Sequence, residues 1–266
     1  MRIGSCLLML ATAEDPLAKA SIPLIKSAGY DYAEVPLARL RSLDRKEIEA
    51  YHELFVRHGL PVECFNNSIP DGLRVVGPDA DPEALEAFIR WAVETAALMG
   101  VSVITMCGPL RDAVPPDFRW EEGLGQYVEF LKRYAGAAAK AGIVLALEPI
   151  NGEENGFIST VGDALRVVRA CGMDNVKLIV DLYHFFKQGD DWGQLLDICR
   201  DQVVHVHYGT RTERTYPLEQ DAGACREELL PLLDAGYRGR ISVEAHTVHP
   251  EKDLPETCAL LRGLLA

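Results

Sequence analysis

The feature that most constrains this chain is an alternation. A short apolar run rich in β-branched residues is followed by a longer amphipathic stretch, eight times over. The runs expected as strands are Arg2–Leu10, Tyr32–Leu37, Leu60–Asn66, Val101–Gly108, Ile143–Ile150, Val176–His184, Val203–Gly209 and Arg240–His246. The stretches expected as helices are Pro16–Ala28, Asp44–His58, Pro82–Met99, Glu122–Ala141, Thr160–Ala170, Trp192–Arg200, Cys225–Ala235 and Pro255–Leu265. Gly59, Gly100 and Gly142 each follow a helical stretch, where a left-handed residue ends a helix. Strands that alternate with helices pair in parallel, and strands covered on both faces read as continuous apolar runs. Eight such units in 266 residues predict an α/β fold. The expected form is one (β/α)₈ TIM barrel over residues 1–266, since such a barrel needs about 250 residues. An open doubly wound sheet would bring a glycine-rich first turn. Neither G-x-G-x-x-G nor G-x-x-x-x-G-K-[ST] occurs. The longest connections, 67–81 and 109–121, both follow strands and are expected to overhang the active face as a lid.

Composition narrows the partners. The net charge is −13, from 27 basic and 40 acidic residues. A phosphate backbone prefers a basic footprint, so nucleic acid is not an expected partner. No apolar run reaches the roughly 18 residues of a membrane span, so no membrane partner is expected. The opening "MRIGSCLLMLATA" imitates a signal peptide, but Gly4 and Ser5 interrupt its apolar run. It is read as the first strand, which the barrel requires. Seven cysteines are scattered with no C-x-x-C pair. That pattern suggests reduced thiols and a cytoplasmic protein rather than a disulfide framework.

Catalytic residues of a barrel sit at the C-terminal ends of its strands. Strand five ends in Glu148 after a run of apolar residues. Strand six ends in Asp181, with His184 three residues on. Strand seven carries His205 and His207, and strand eight ends in Glu244, followed by His246. A carboxylate at the end of a buried run is costly unless it has a partner. Four successive strands deliver acids or imidazoles at one end, so one divalent ion shared by Glu148, Asp181, His207 and Glu244 is expected. Oxygen and imidazole donors suit Mn²⁺ first, with Co²⁺, Mg²⁺ or Zn²⁺ as alternatives. His205 shares the parity of His207 but lies one layer deeper, where it orients a neighbour or is a satisfied core histidine. Glu34, ending strand two, is open between substrate contact and pairing with Arg39. Among the aromatics, Phe88 and Trp91 are expected in the shell. Phe65, Trp120, Phe157, Phe185 and Phe186 are candidates for pocket walls.

The segments "LALEPIN", "VDLYH", "HVHYGT" and "VEAH" resemble the xylose-isomerase-like barrel superfamily of sugar isomerases and epimerases. The nearest types are the ketose 3-epimerases (tagatose or psicose 3-epimerase) and hydroxypyruvate isomerase. The resemblance spans essentially the whole chain and is strongest from Glu148 to Glu244. It implies a single-metal site at Glu148, Asp181, His207 and Glu244, with Glu148 and Glu244 as the catalytic acid–base pair. Glu154, His184 and Arg214 would hold the substrate's oxygens. The substrate would be a small sugar, and the assembly a homo-oligomer, a dimer or tetramer. The family's Pro-Gly-x-Gly turn is missing after "RTYP", and the interval from His207 to Arg214 is one residue longer than in ketose epimerases, so Arg211 is a rival to Arg214.

Removing a proton next to a carbonyl creates an enediolate, whose charge a metal stabilises. Two glutamates on opposite faces then take and return the proton. A lyase of the inosose or dehydroshikimate dehydratase type is the alternative, because elimination begins with the same proton. A nuclease of the endonuclease IV type would need histidines where this chain has Glu34, Asn66 and Cys107.

Overall fold

A computed structural model describes residues 1–108, 118–154 and 157–265. Eight parallel strands close into a barrel in sequence order. They are β1 (Arg2–Cys6), β2 (Tyr32–Pro36), β3 (Val62–Asn66), β4 (Val103–Cys107), β5 (Val144–Glu148), β6 (Val176–Asp181), β7 (Val203–Tyr208) and β8 (Arg240–Val243). The helices are α1 (Ser21–Ser27), α2 (Leu37–Leu40), α3 (Arg45–His58), α4 (Pro82–Met99), α5 (Trp120–Ala139), α6 (Val161–Cys171), α7 (Leu182–Gln188), α8 (Trp192–Ile198), α9 (Ala222–Asp234) and α10 (Pro250–Leu264). The barrel expectation holds, and no described helix is long and apolar enough to cross a membrane.

Local chemistry explains the boundaries. Asp44 and Glu47 form a capping box that starts α3, and Gly59 at φ 62° ends it. Asp81 caps α4 with Pro82 in its first turn, and Gly100 at φ 75° ends it. The first unit departs from its pattern. β1 stops at Cys6, and Leu7–Leu10 winds into a 3₁₀ turn. The helix expected from Pro16 begins only at Ser21. Asp15 ties down the preceding turn, its carbonyl accepting from the Ala18 amide and its carboxylate from that of Ala20. In the last unit, α10 starts at Pro250, five residues before the expected Pro255.

Side-chain alternation along the strands sets the interior. Tyr32, Cys64, Val103, Ala146 and Ile179 form a small inner cluster, separate from the large core between strands and helices. The Tyr32 hydroxyl reaches the Ser242 hydroxyl across the barrel at 3.0 Å. Gly4 makes room for that ring, because a Cβ there would lie 2.2 Å from it. Two residues further along the same faces come Glu34, Asn66, Thr105, Glu148 and Asp181. The period of two therefore carries them into the next layer, at the barrel mouth.

Loop 67–81 is packed down rather than free. Val75 and Val76 are buried, and the Gly77 amide donates to Gln126 on α5 at 2.6 Å. Most of the second expected lid, 109–117, lies outside the described residues. Phe65 and Phe185 belong to the strand–helix core rather than to a pocket wall, as do Phe88 and the half-buried Trp91. Phe186 stacks on Trp192, and Trp120 on Phe157.

Candidate metal and active site

One donor atom from each of Glu148, Asp181, His207 and Glu244 lies within 4.8 Å of the others, and all four residues are buried. The structure thus brings together the four residues expected as ligands. His207 Nδ1 faces Glu244 Oε2 at 2.8 Å and Glu148 Oε1 at 3.3 Å. That nitrogen is buried, and these carboxylates are its neighbours among the described residues. Its orientation is set from behind, where Nε2 meets Glu34 Oε1 at 2.8 Å. With Nε2 donating to Glu34, Nδ1 is left facing the carboxylates, where a bound ion would take the place of its proton. A histidine that ligates a metal characteristically has this arrangement.

Glu34, which sequence reasoning left undecided, braces His207 from behind. Its second oxygen meets His205 Nε2 at 2.9 Å, and His205 Nδ1 lies 3.7 Å from the Cys64 thiol. His205 is therefore a satisfied core histidine that shares the carboxylate orienting His207. Arg39 instead donates to the Pro16 carbonyl. Burial would push the Glu34 carboxyl up, but His207 and His205 outweigh it and hold the group far below the usual carboxylate range. Glu34, Cys64 and His205 also lie within metal-binding distance of one another. Both Glu34 oxygens are already engaged by imidazoles, so this trio reads as a hydrogen-bonded floor.

Of the two rival arginines, Arg214 is the one that lies against the candidate ligands. Its Nη2 donates to Asp181 Oδ2 at 2.5 Å and to Glu244 Oε2 at 2.7 Å. The guanidinium also lies over the Tyr183 ring, 5.1 Å from its centroid. Arg211 is exposed and covers Phe186 at 4.2 Å. The longer interval after His207 folds into a tight loop. Within it, the Arg214 amide donates to the Thr210 carbonyl at 3.0 Å, and the Thr210 and Thr215 hydroxyls meet at 2.8 Å. Arg214 adopts φ 53°, a left-handed backbone that is unfavourable for a side-chain-bearing residue. The amide of His246 holds it there by donating to the Arg214 carbonyl at 2.7 Å. His246 itself points to solvent, so its part is played by its backbone.

Asp181 also caps α7, accepting from the Tyr183 amide at 2.8 Å. That cap places His184 on the first turn, buried, with Nε2 3.7 Å from Asp181 Oδ2. Asn151, which the sequence did not single out, donates to His184 Nδ1 at 2.7 Å. The proton of a neutral His184 is then on Nε2, the nitrogen on the Asp181 side. Glu154 sits at the rim, where its Oε1 accepts from Asn151 at 3.1 Å and Lys187 at 3.3 Å.

The electrostatics show a surplus of negative charge. Burial is the largest influence on Asp181 and pushes it up. Arg214 and His184 pull it down without cancelling the rise, to which Glu244 and Glu148 add. Burial would push His207 down, but Glu244 and Glu34 hold it well above its ordinary range. Glu34, Glu148, Asp181 and Glu244 face the Arg214 guanidinium and, without an ion, a protonated His207, which leaves a surplus of negative charge. A divalent cation would offset that surplus, and the hard oxygen donors with one imidazole match its chemistry. The carboxylate-facing Nδ1 and this surplus both fit a bound divalent ion.

The chain matches the family described as xylose isomerase-like TIM barrel over residues 22–264. It is 37% identical over 70 residues to 3-dehydro-D-guloside 4-epimerase of Escherichia coli K12, covering 26% of this chain and 27% of the relative. The match to D-psicose 3-epimerase of Agrobacterium fabrum is broader, at 26% identity over 84% of this chain and 77% of that one. The apo crystal structure of 3-keto-D-glucoside 4-epimerase from E. coli superposes with a TM-score of 0.77 over 99% of both chains. At 23% identity it attests the fold alone.

Proposed function

The chain belongs to the xylose isomerase-like TIM barrel family, and from that membership and the geometry above we propose that it is a divalent-metal-dependent epimerase or isomerase of a keto sugar or related polyol ketone. The observation that carries this reading is the buried set of three carboxylates converging with one imidazole nitrogen. Glu148, Asp181, His207 and Glu244 would hold the ion, with Mn²⁺ the first choice. A bound ion supplies Lewis-acid charge to a substrate carbonyl and its neighbouring hydroxyl oxygen.

The chain's own groups do the rest. Glu148 and Glu244 flank the same point from strands β5 and β8, so one can take the proton next to the carbonyl and the other return one. They are not equivalent. Glu244 Oε1 accepts from Asn66 and Cys6, and its Oε2 from Arg214. Glu148 has only the His207 ion pair among the described residues, so its side chain is the less tied of the two. Arg214 offers positive charge where negative charge develops on the substrate oxygens. His184, oriented by Asn151, offers an N–H, and Glu154 with Lys187 defines the polar rim.

The test is to incubate Mn²⁺-loaded protein with a panel of ketoses and keto-glycosides in D₂O. The expected result is an epimerised or isomerised product carrying deuterium at the carbon next to the carbonyl. Deuterium-free substrates throughout, from protein shown to hold its ion, would overturn the reading. An unsaturated product would move it to the lyases.

A further inference from the structure

At the end of β3, Asn66 is buried to 2% exposure. Its Nδ2 donates to Glu244 Oε1 at 3.0 Å and to the Cys6 sulfur at 2.8 Å. The amide cannot be turned round, because its carbonyl oxygen would then face a carboxylate, acceptor against acceptor. The orientation is therefore forced by chemistry. Two things follow from it. Glu244 Oε1 is held away from His207, so that Oε2 stays on the side of His207 Nδ1 and Arg214 Nη2. The other arm of the amide, Oδ1, is buried and has no hydrogen-bond partner among the described residues. A buried carbonyl oxygen in that state is an acceptor waiting for a donor. Two residues further on, the Ser68 hydroxyl is also buried and unpartnered.

We propose that Asn66 has two parts in this site: its amide nitrogen positions Glu244, and its carbonyl oxygen accepts a hydrogen bond from a hydroxyl of the polyol substrate. The inference rests on the proposed sugar epimerase or isomerase reading. The neighbouring carboxylates, Glu244 and Glu34, only accept hydrogen bonds and cannot serve as this donor, whereas a substrate hydroxyl can. Keto sugars carry several such hydroxyls, and one placed against Oδ1 removes its unpaired state. A substrate lacking that hydroxyl leaves the amide unsatisfied, which makes Asn66 a residue of specificity as well as of alignment.

Two near-isosteric variants separate the parts. Asn66→Asp keeps an acceptor and loses the donor, whereas Asn66→Leu loses both. Each is first checked for a native melting transition, then titrated with Mn²⁺ by calorimetry after metal stripping, then assayed on the ketose panel. Both variants are expected to bind Mn²⁺ about 10-fold or more weakly, as when the group behind a metal ligand is removed. At saturating Mn²⁺, Asn66→Asp is expected to lose kcat with little change in KM. Asn66→Leu should also raise KM about 10-fold, as for a lost hydrogen bond in a closed site. Mn²⁺ affinity within about twofold of wild type in both variants overturns the positioning part. Equal KM values in the two variants overturn the hydroxyl part. Wild-type protein that neither binds Mn²⁺ nor turns over any ketose overturns the functional reading itself, which keeps the two failures apart.

Discussion

The two halves of the barrel mouth are built on the same backbone geometry and carry opposite chemistry. Strands β5 to β8 deliver Glu148, Asp181, His207 and Glu244 to one point. Strands β1 to β4 deliver Cys6, Glu34, Asn66 and Cys107, and the only charged group among them is turned onto the histidines of β7. The acidic half supplies the candidate ligands and acid–base groups. The other half reaches across the barrel to hold them. Glu34 braces His207, and Asn66 and Cys6 brace Glu244. A closed barrel permits this because strands distant in sequence face one another across an interior a few side chains wide. The site therefore belongs to both halves, although only one half shows it.

Breaking the acidic half should have the largest effect. Glu148→Gln and Glu244→Gln are each expected to lower kcat by about 10²–10⁴-fold, the range of a lost acid–base group; near-normal turnover in both would remove the two-glutamate mechanism. Next comes the brace behind it. Glu34→Gln is expected to weaken Mn²⁺ binding by about 10–100-fold in calorimetry, although the residue is not among the four candidate ligands. Unchanged affinity would mean that His207 is oriented without it. The two arginines sharpen the contrast between mouth and exterior. Arg214→Ala should lower kcat/KM by about 10–100-fold, as for loss of a charge-assisted hydrogen bond, whereas Arg211→Ala should stay within about twofold. The reverse order would show that the wrong arginine has been placed in the site.

Smaller effects are expected in the neutral half. Burial, reinforced by Glu148, pushes the Cys107 thiol up to about 12. A raised thiol pKa means the protonated form persists at every pH below that value. Iodoacetamide labelling of Cys107, followed by peptide mass spectrometry, should stay negligible at pH 8 in native protein and appear on unfolding. Rapid labelling of the folded protein would show an electropositive environment that the structure lacks. Last, Thr105→Val removes a buried hydroxyl with no partner among the described residues. It should leave the melting temperature unchanged or slightly raised, because an unsatisfied group is lost and shape is kept. A marked fall would reveal a partner for that hydroxyl.

How much of this was legible in the sequence follows the same division. The alternation of strands and helices is a local signal, and so is a carboxylate ending an apolar run. The barrel and the four residues of the acidic half could therefore be read directly. Asn66 and Cys6 gave no such signal, since a neutral residue at a strand end breaks no rule. Glu34 did stand out, but its partners lie 171 and 173 residues away. No spacing in the sequence distinguishes that pairing from a nearby arginine. Asn151 stayed hidden for a similar reason, because its effect on His184 depends on where the Asp181 cap starts α7. Arg214 was separable from Arg211 only once the Thr210–Thr215 loop was folded, with its left-handed residue tied to His246. Helix ends set by caps were read closely, as at α4. The irregular start of the first unit was not, because Asp15 competes there through backbone turns.

The central claim is that the acidic half forms one divalent-metal site. Calorimetric titration of metal-stripped protein with Mn²⁺, beside Asp181→Asn, tests it most directly. The account predicts one equivalent bound by the wild type and binding lost or greatly weakened in the variant. A folded wild-type protein that binds no Mn²⁺, or that binds it as well after Asp181→Asn, would contradict it.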